Sequence, residues 1–428
     1  MNTKTLLTGQ TLLFSGDPLQ TPWQDCVRID SAGGVLIEGA RITAVGGAAD
    51  LRAAHPDAAE IPYGDDLICP GFIDAHSHYP QTAMIASWGK RLIDWLNTYT
   101  FPEEIRLQDP AWAATLAART LDLTRAAGTT TLCSFATIHP HSASALFDAG
   151  AARSQCIVTG KTCMDRNAPD GLRDTAQSAY DDSKALIARH HGQGRNRYAI
   201  SPRFSPTSSA EQLTALGALW AEHPDCLMQT HLSEQPDEVT WVRALFPQAR
   251  DYLDTYETHG LLGARGVYGH AIHLTDREVG RLSEVGASVV HCPTSNAFIG
   301  SGDFDLARMV RHRLHTGLAT DTGGGSSFSM LRTMAAAYEA GQTRGASWHA
   351  SQLLWLATAG SARALHLHDE IGTLAAGQYA DITVLDLKST DAIAQRASRA
   401  GEIWDDVFAT VMMGDDRAVR DTWISGAR

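Results

Sequence analysis

The chain runs to 428 residues, enough for one large α/β barrel with an added layer or for two to three smaller domains. Its 35 basic and 48 acidic side chains leave a formal charge of −13, which argues against a phosphate-backbone partner and suits a small neutral ligand. Hydrophobic residues make up 44% and no run of about 18 apolar residues occurs, so no membrane-spanning helix is expected.

Seven cysteines are scattered through the chain (Cys26, Cys69, Cys133, Cys156, Cys163, Cys226 and Cys292). The count is odd and no CxxC is present, which reads as reduced, buried thiols in an intracellular protein. It also removes the zinc signature that pairs HxE with PCxxC. The opening MNTKTLLTGQTLLFSGDP lacks a basic start followed by a long apolar run, so a cytoplasmic protein is expected.

In chain order, the first 65 residues or so read as short strands, LLTGQTLLF, QDCVRIDSAGGVLIEG and ARITAVG, punctuated by Gly and Asp. The last 55 or so do likewise in GTLAAGQYADITVLDL, VFATVMMG and AVRDTWISG. Neither end is large enough to stand alone, so the two are expected to pair into one small β-sandwich of residues 1–66 with 372–428.

Between them, over 67–371, apolar runs alternate with helical segments. The runs are LICPGFIDAHSH, GTTTLCSFAT, CIVTGKTC, RYAISPRFSP, CLMQTHLSE, GVYGHAI, SVVHCPTSN and TGLATDTGG. Segments such as WAATLAARTLDLTRAAG and AEQLTALGALWAEH carry apolar residues at helical spacing. Eight such units predict a (β/α)8 TIM-like barrel. A doubly wound sheet would need a Gly-rich nucleotide turn after its first strand, and none is present.

Sites in this barrel lie at the C-terminal ends of the strands. The first run ends in His76 and His78, which alternation places on one side of the strand. The fifth ends in His231 with Glu234 three residues on, the sixth in His270 and the eighth in Asp321. A lone histidine signifies little; this set, each at a strand end, points to a metal. His76, His78, His231 and Asp321 are the expected ligands of one cation per chain, with a water completing the sphere. The fourth run ends in Arg203, which cannot bridge two metals, and Lys161 on the third reads as a structural ion pair. Nitrogen and carboxylate ligands with an open position suit Zn²⁺, with Fe²⁺ as the alternative. A cation so held makes water nucleophilic. Glu234 is placed to shuttle protons, Asp321 to accept a second proton, and His270 to polarise the attacked group or hold the hydroxide. The reaction class is metal-assisted hydrolysis at a trigonal carbon.

PGFIDAHSH (70–78) and GTLAAGQYADITVLD (372–386) resemble the first-strand and return signatures of the amidohydrolase superfamily. Finer segments resemble its guanine deaminases: HYPQ (78–81), DWLNTYTFPEE (94–104), GKTCMD (160–165), SPRFSP (201–206), THLSE (230–234) and CPTSN (292–296). The resemblance implies hydrolysis of guanine to xanthine and ammonia by a homodimeric enzyme of purine catabolism that engages neither nucleic acid nor membrane. It implies that Arg203 donates to the purine O6, Phe204 stacks on the ring, Gln81 bonds the edge near N3, Glu234 bonds N1, and His270 sits near the attacked carbon. Trp88, in the divergent segment ASWGKRLIDWL (86–96), is expected at the substrate. The rival readings are deamination of a related ring (8-oxoguanine, an aminotriazine, cytosine) and a non-enzymatic scaffold.

Overall fold

The computed structural model describes residues 4–88 and 91–428. Its strands, in chain order, are β1 (Lys4–Phe14), β2 (Val27–Glu38), β3 (Arg41–Gly47), β4 (Ala59–Pro70), β5 (Phe72–His78), β6 (Thr129–Phe135), β7 (Cys156–Gly160), β8 (Thr162–Cys163), β9 (Asn196–Pro202), β10 (Leu227–Leu232), β11 (Gly266–His270), β12 (Ser288–His291), β13 (His315–Leu318), β14 (Ile382–Leu385) and β15 (Val419–Trp423). Two compact units emerge: Met1–Asp74 with Leu123–Thr131 and Phe328–Arg428, and Ala75–Asp122 with Leu132–Ser327.

In the first unit the two ends of the chain do pair. A six-stranded sheet has the order β15-β14-β4-β1-β2-β3. The stitch is β14, which runs antiparallel to β4 from Ile382 opposite Pro70 to Leu385 opposite Leu67. Leu7, Val35, Ile37, Ile68, Ile382, Val384 and Trp423 form its core. Each such side chain contributes about 1.5–3 kcal/mol by leaving water.

Three sequence expectations need correction here. LICPGFIDAHSH is two strands rather than one: LICP closes β4, and β5 starts after Gly71. A Cβ on Gly71 would lie 2.2 Å from Thr130 Oγ1, so only glycine allows this close passage. GTLAAGQY forms no strand of its own beyond an isolated bridge of Tyr379 to Arg41. VFATVMMG, rich in β-formers, belongs to a helix, Ile403–Met413. Trp404, Val407 and Val411 recur there at helical spacing and are buried, so packing overrides the β propensity. Asp405 and Asp406 in the first turn favour the helix dipole.

The second unit holds the barrel. Each of the eight predicted runs supplies one strand of the order β13-β12-β11-β10-β9-β7-β6-β5, and β8 pairs beside β9. Parallel registers link β10 to β11 (Met228 opposite Gly266) and β12 to β13 (Val289 opposite Thr316). The ring closes where Asp321 N donates to His76 O at 3.0 Å and His78 N donates to Thr322 O. Intervening helices start at caps legible in the sequence: Thr175 before Ala176–His190, Ser209 before Ala210–Glu222 and Thr275 before Asp276–Glu284. All seven cysteines are buried, and none is in a disulfide. No described helix is long and apolar enough to cross a membrane.

Candidate active site

The barrel brings four imidazoles and two carboxylates to the C-terminal ends of its strands, and all six are buried. One nitrogen each of His76, His78 and His231 lie within 4.8 Å of one another. His78 Nε2 and His231 Nε2 are 3.1 Å apart, and Asp321 Oδ1 lies 3.5 Å from both His76 Nε2 and His78 Nε2. Tetrahedral zinc with bonds of about 2.0–2.1 Å places its ligand atoms about 3.3–3.4 Å apart, so the cluster has the right span. His76 Nε2 is buried without a hydrogen bond. His231 Nδ1 donates to Arg203 O at 2.7 Å, which leaves the Nε2 lone pair facing the cluster.

Electrostatics favour the same reading. Burial drives His76, His78 and His231 towards the neutral form that binds metals, and their mutual proximity adds to the effect at His231. Burial works against the Asp321 carboxylate, but His76, His270 and His78 outweigh it and hold the group ionised. Three neutral nitrogens and one anionic oxygen converging on one point fit a divalent cation. His76, His270 and Cys292 also present atoms within 4.8 Å of one another. The shorter separations around His78, His231 and Asp321 favour the first set.

Local backbone aims these groups. Ser233, His270 and Asp321 all take positive φ (51°, 65° and 48°), so the chain turns sharply where strands end. Gly269 is required next to the cluster: a Cβ there would lie 2.6 Å from His76 Cε1.

His270 Nε2 stands 3.6 Å from both Glu234 Oε2 and Asp321 Oδ2, and His270 Nδ1 contacts Asn296 Oδ1 at 2.9 Å. Burial alone would keep this imidazole neutral; Glu234 and Asp321 outweigh it and raise its pKa. Glu234 is pushed up to about 7, first by burial and then by Glu238 and Asp321, against the opposing pull of His270. A carboxyl that titrates near neutrality is matched to moving protons there. Ser301 Oγ donates to Glu234 Oε1 at 2.9 Å, and Glu238 Oε2 accepts the Glu234 and Gln235 amides at 2.8 and 3.0 Å.

These groups open into a cavity of about 410 Å³. Gln81, Arg203, Phe204, His78, His231, Glu234, His270 and Asp321 line it with an apolar wall of Leu92, Trp95, Leu96 and Ile299. Of the sequence-derived set, His76 lies behind the lining. Trp88, expected at the substrate, is 76% exposed and is not among the residues that line the cavity, whose aromatic wall on that segment is Trp95. Its neighbours Gly89 and Lys90 lie outside the described residues. Lys161 pairs with Asp174, which also accepts Gln212 Nε2 at 2.6 Å, so it is a buried structural pair as expected. Sequence reasoning missed Glu104, Asn296, Ser301 and Glu238. The first two fall within the quoted segments DWLNTYTFPEE and CPTSN; nothing in the sequence marks Ser301 or Glu238.

Comparison with known proteins agrees with the geometry. An amidohydrolase family model matches residues 67–428, and an imidazolonepropionase-like composite domain of bacteria matches 33–58. Guanine deaminase of Escherichia coli (strain K12) is 42% identical over 372 residues, 87% of this chain and 85% of that protein. Guanine deaminase of Rattus norvegicus is 31% identical over 374 residues, 84% and 82% of the respective chains. The solved structure of E. coli guanine deaminase has a TM-score of 0.96 at 38% identity and covers 99% of this chain and 98% of its own.

Proposed function

The chain belongs to the amidohydrolase family, among the guanine deaminases, and from that premise we propose that it hydrolyses guanine to xanthine and ammonia. The observation that carries this reading is the meeting, in one cavity, of a metal-type donor set with an arginine, an amide and an aromatic ring. A planar ring with mixed donors and acceptors needs such walls.

His76, His78, His231 and Asp321 would hold one Zn²⁺, which when bound lowers the pKa of a water molecule and so supplies a nucleophile near neutral pH. Arg203 donates to O6 of guanine, and Phe204 covers the ring face. Gln81 meets the edge near N3, and Glu234 meets N1. Water adds to C2 while the Glu234 carboxylate takes its proton and delivers it to N3. Asp321 and Glu234 then pass the remaining hydroxyl proton to the 2-amino nitrogen. The C2–N bond breaks, ammonia leaves, and xanthine keeps the new oxygen. His270, whose Nε2 faces Glu234 and Asp321 at 3.6 Å, is placed to hold the oxygen that adds at C2. Leu92, Trp95, Leu96 and Ile299 exclude bulk water from these transfers.

A substrate panel tests the reading. Guanine should be turned over with stoichiometric ammonia. Adenine, which carries an amino group where Arg203 needs an oxygen, should be refused. Turnover of cytosine or 8-oxoguanine in place of guanine would overturn the choice of ring. The same family reading carries cytoplasmic location and a homodimer, for which light scattering is the direct check of assembly.

A further inference from the structure

Glu104 ends the sequence segment DWLNTYTFPEE on the helix Phe101–Ile105. Its side chain is fully buried (0% exposed) and stands outside the cavity lining. Its carboxylate nevertheless grips two residues that do line the cavity. Oε1 accepts Gln81 Nε2 at 2.7 Å and Arg203 Nη1 at 2.9 Å, and Oε2 accepts the same Nη1 at 2.7 Å.

Two consequences follow from hydrogen-bond chemistry. The Gln81 amide cannot turn over, because that would set its oxygen against a carboxylate; its Oε1 is therefore free to act as an acceptor for whatever fills the cavity. Arg203 is anchored through Nη1, so its other N–H groups remain as donors, and its charge is neutralised from behind. The pocket thus presents a donor on one side and an acceptor on another, with no net charge from this trio.

We propose that Glu104 is a positioning residue that sets this polarity and thereby selects a ring bearing a carbonyl oxygen towards Arg203 and an N–H towards Gln81. The proposal rests on the guanine reading above. In guanine N3 is flanked by the 2-amino group, which is the leaving group served by Glu234 and Asp321, and by N9–H, so Gln81 Oε1 is left to N9–H and would distinguish the free base from one substituted at N9.

The test compares kcat/KM for guanine and 9-methylguanine in wild type, in Glu104→Gln and in a double variant that combines Gln81→Glu with Glu104→Gln. In wild type guanine is preferred. In Glu104→Gln an amide faces Gln81, which is free to turn its NH2 inwards; kcat/KM for guanine should fall about 10- to 100-fold and the preference should collapse. The double variant restores a carboxylate and amide pair in swapped order, with an oxygen of the relocated carboxylate as the acceptor, and should recover the preference in large part. An unchanged ratio in Glu104→Gln, whatever its melting temperature, overturns the proposal. If Glu104→Gln does not fold, the double variant decides: loss of the preference there overturns it. Wild type that does not deaminate guanine sinks the underlying reading instead.

Discussion

Replacing Glu234 by glutamine removes a proton acceptor while sparing nearly everything around it. Glutamine is isosteric, and its Oε1 can still accept the Ser301 hydroxyl that now lies 2.9 Å from Glu234 Oε1. The backbone amide of residue 234 keeps its bond to Glu238, so the loop after β10 stays in place. The residue is not among the nitrogen and oxygen atoms that crowd His78, His231 and Asp321, so metal content should hold. What is lost is a carboxyl titrating near 7 within 3.6 Å of His270 Nε2. A positioned acid or base contributes about 10²–10⁴-fold, or about 2.7–5.4 kcal/mol at 1.36 kcal/mol per decade. Steady-state ammonia release should therefore show kcat down by about 10²–10⁴-fold, while calorimetry shows xanthine binding within a few-fold of wild type. A variant that retains more than about a tenth of wild-type kcat would refute the assignment of Glu234 as the proton shuttle.

Three further outcomes are expected. Gly269→Ala should drive a methyl group into His76, at 2.6 Å from Cε1, and weaken metal affinity about 10- to 100-fold by competition with a chromogenic chelator. Lys161→Met should leave the Asp174 carboxylate buried and uncompensated, a loss of about 3–5 kcal/mol in chemical denaturation. Exhaustive chelation should abolish guanine turnover, and one equivalent of Zn²⁺ per chain should restore it; activity that survives in metal-free protein contradicts the role given to the histidine cluster.

The barrel is legible in the sequence because parallel strands buried on both faces are written as continuous apolar runs, and the catalytic side chains are legible because they are the polar residues that end those runs. His76 and His78 close β5, while His231 and His270 sit at the ends of β10 and β11. What stays hidden depends on partners remote in sequence. Glu104 is one of two adjacent glutamates, and only the fold shows that it meets Arg203, 99 residues away, inside the protein. Trp88 and Trp95 belong to the same divergent segment, and only the path of the chain through 92–105 puts Trp95 inward. The helix Ile403–Met413 misleads because its β-branched and aromatic residues state a propensity that tertiary packing overrides.

Turnover in H₂¹⁸O examines the central claim most directly. Metal-loaded protein given guanine should release one ammonia per xanthine, and mass spectrometry should find one ¹⁸O in the product, carried at C2. Xanthine without the label, or no product from protein that holds one metal per chain, would contradict hydrolytic deamination of guanine by this site.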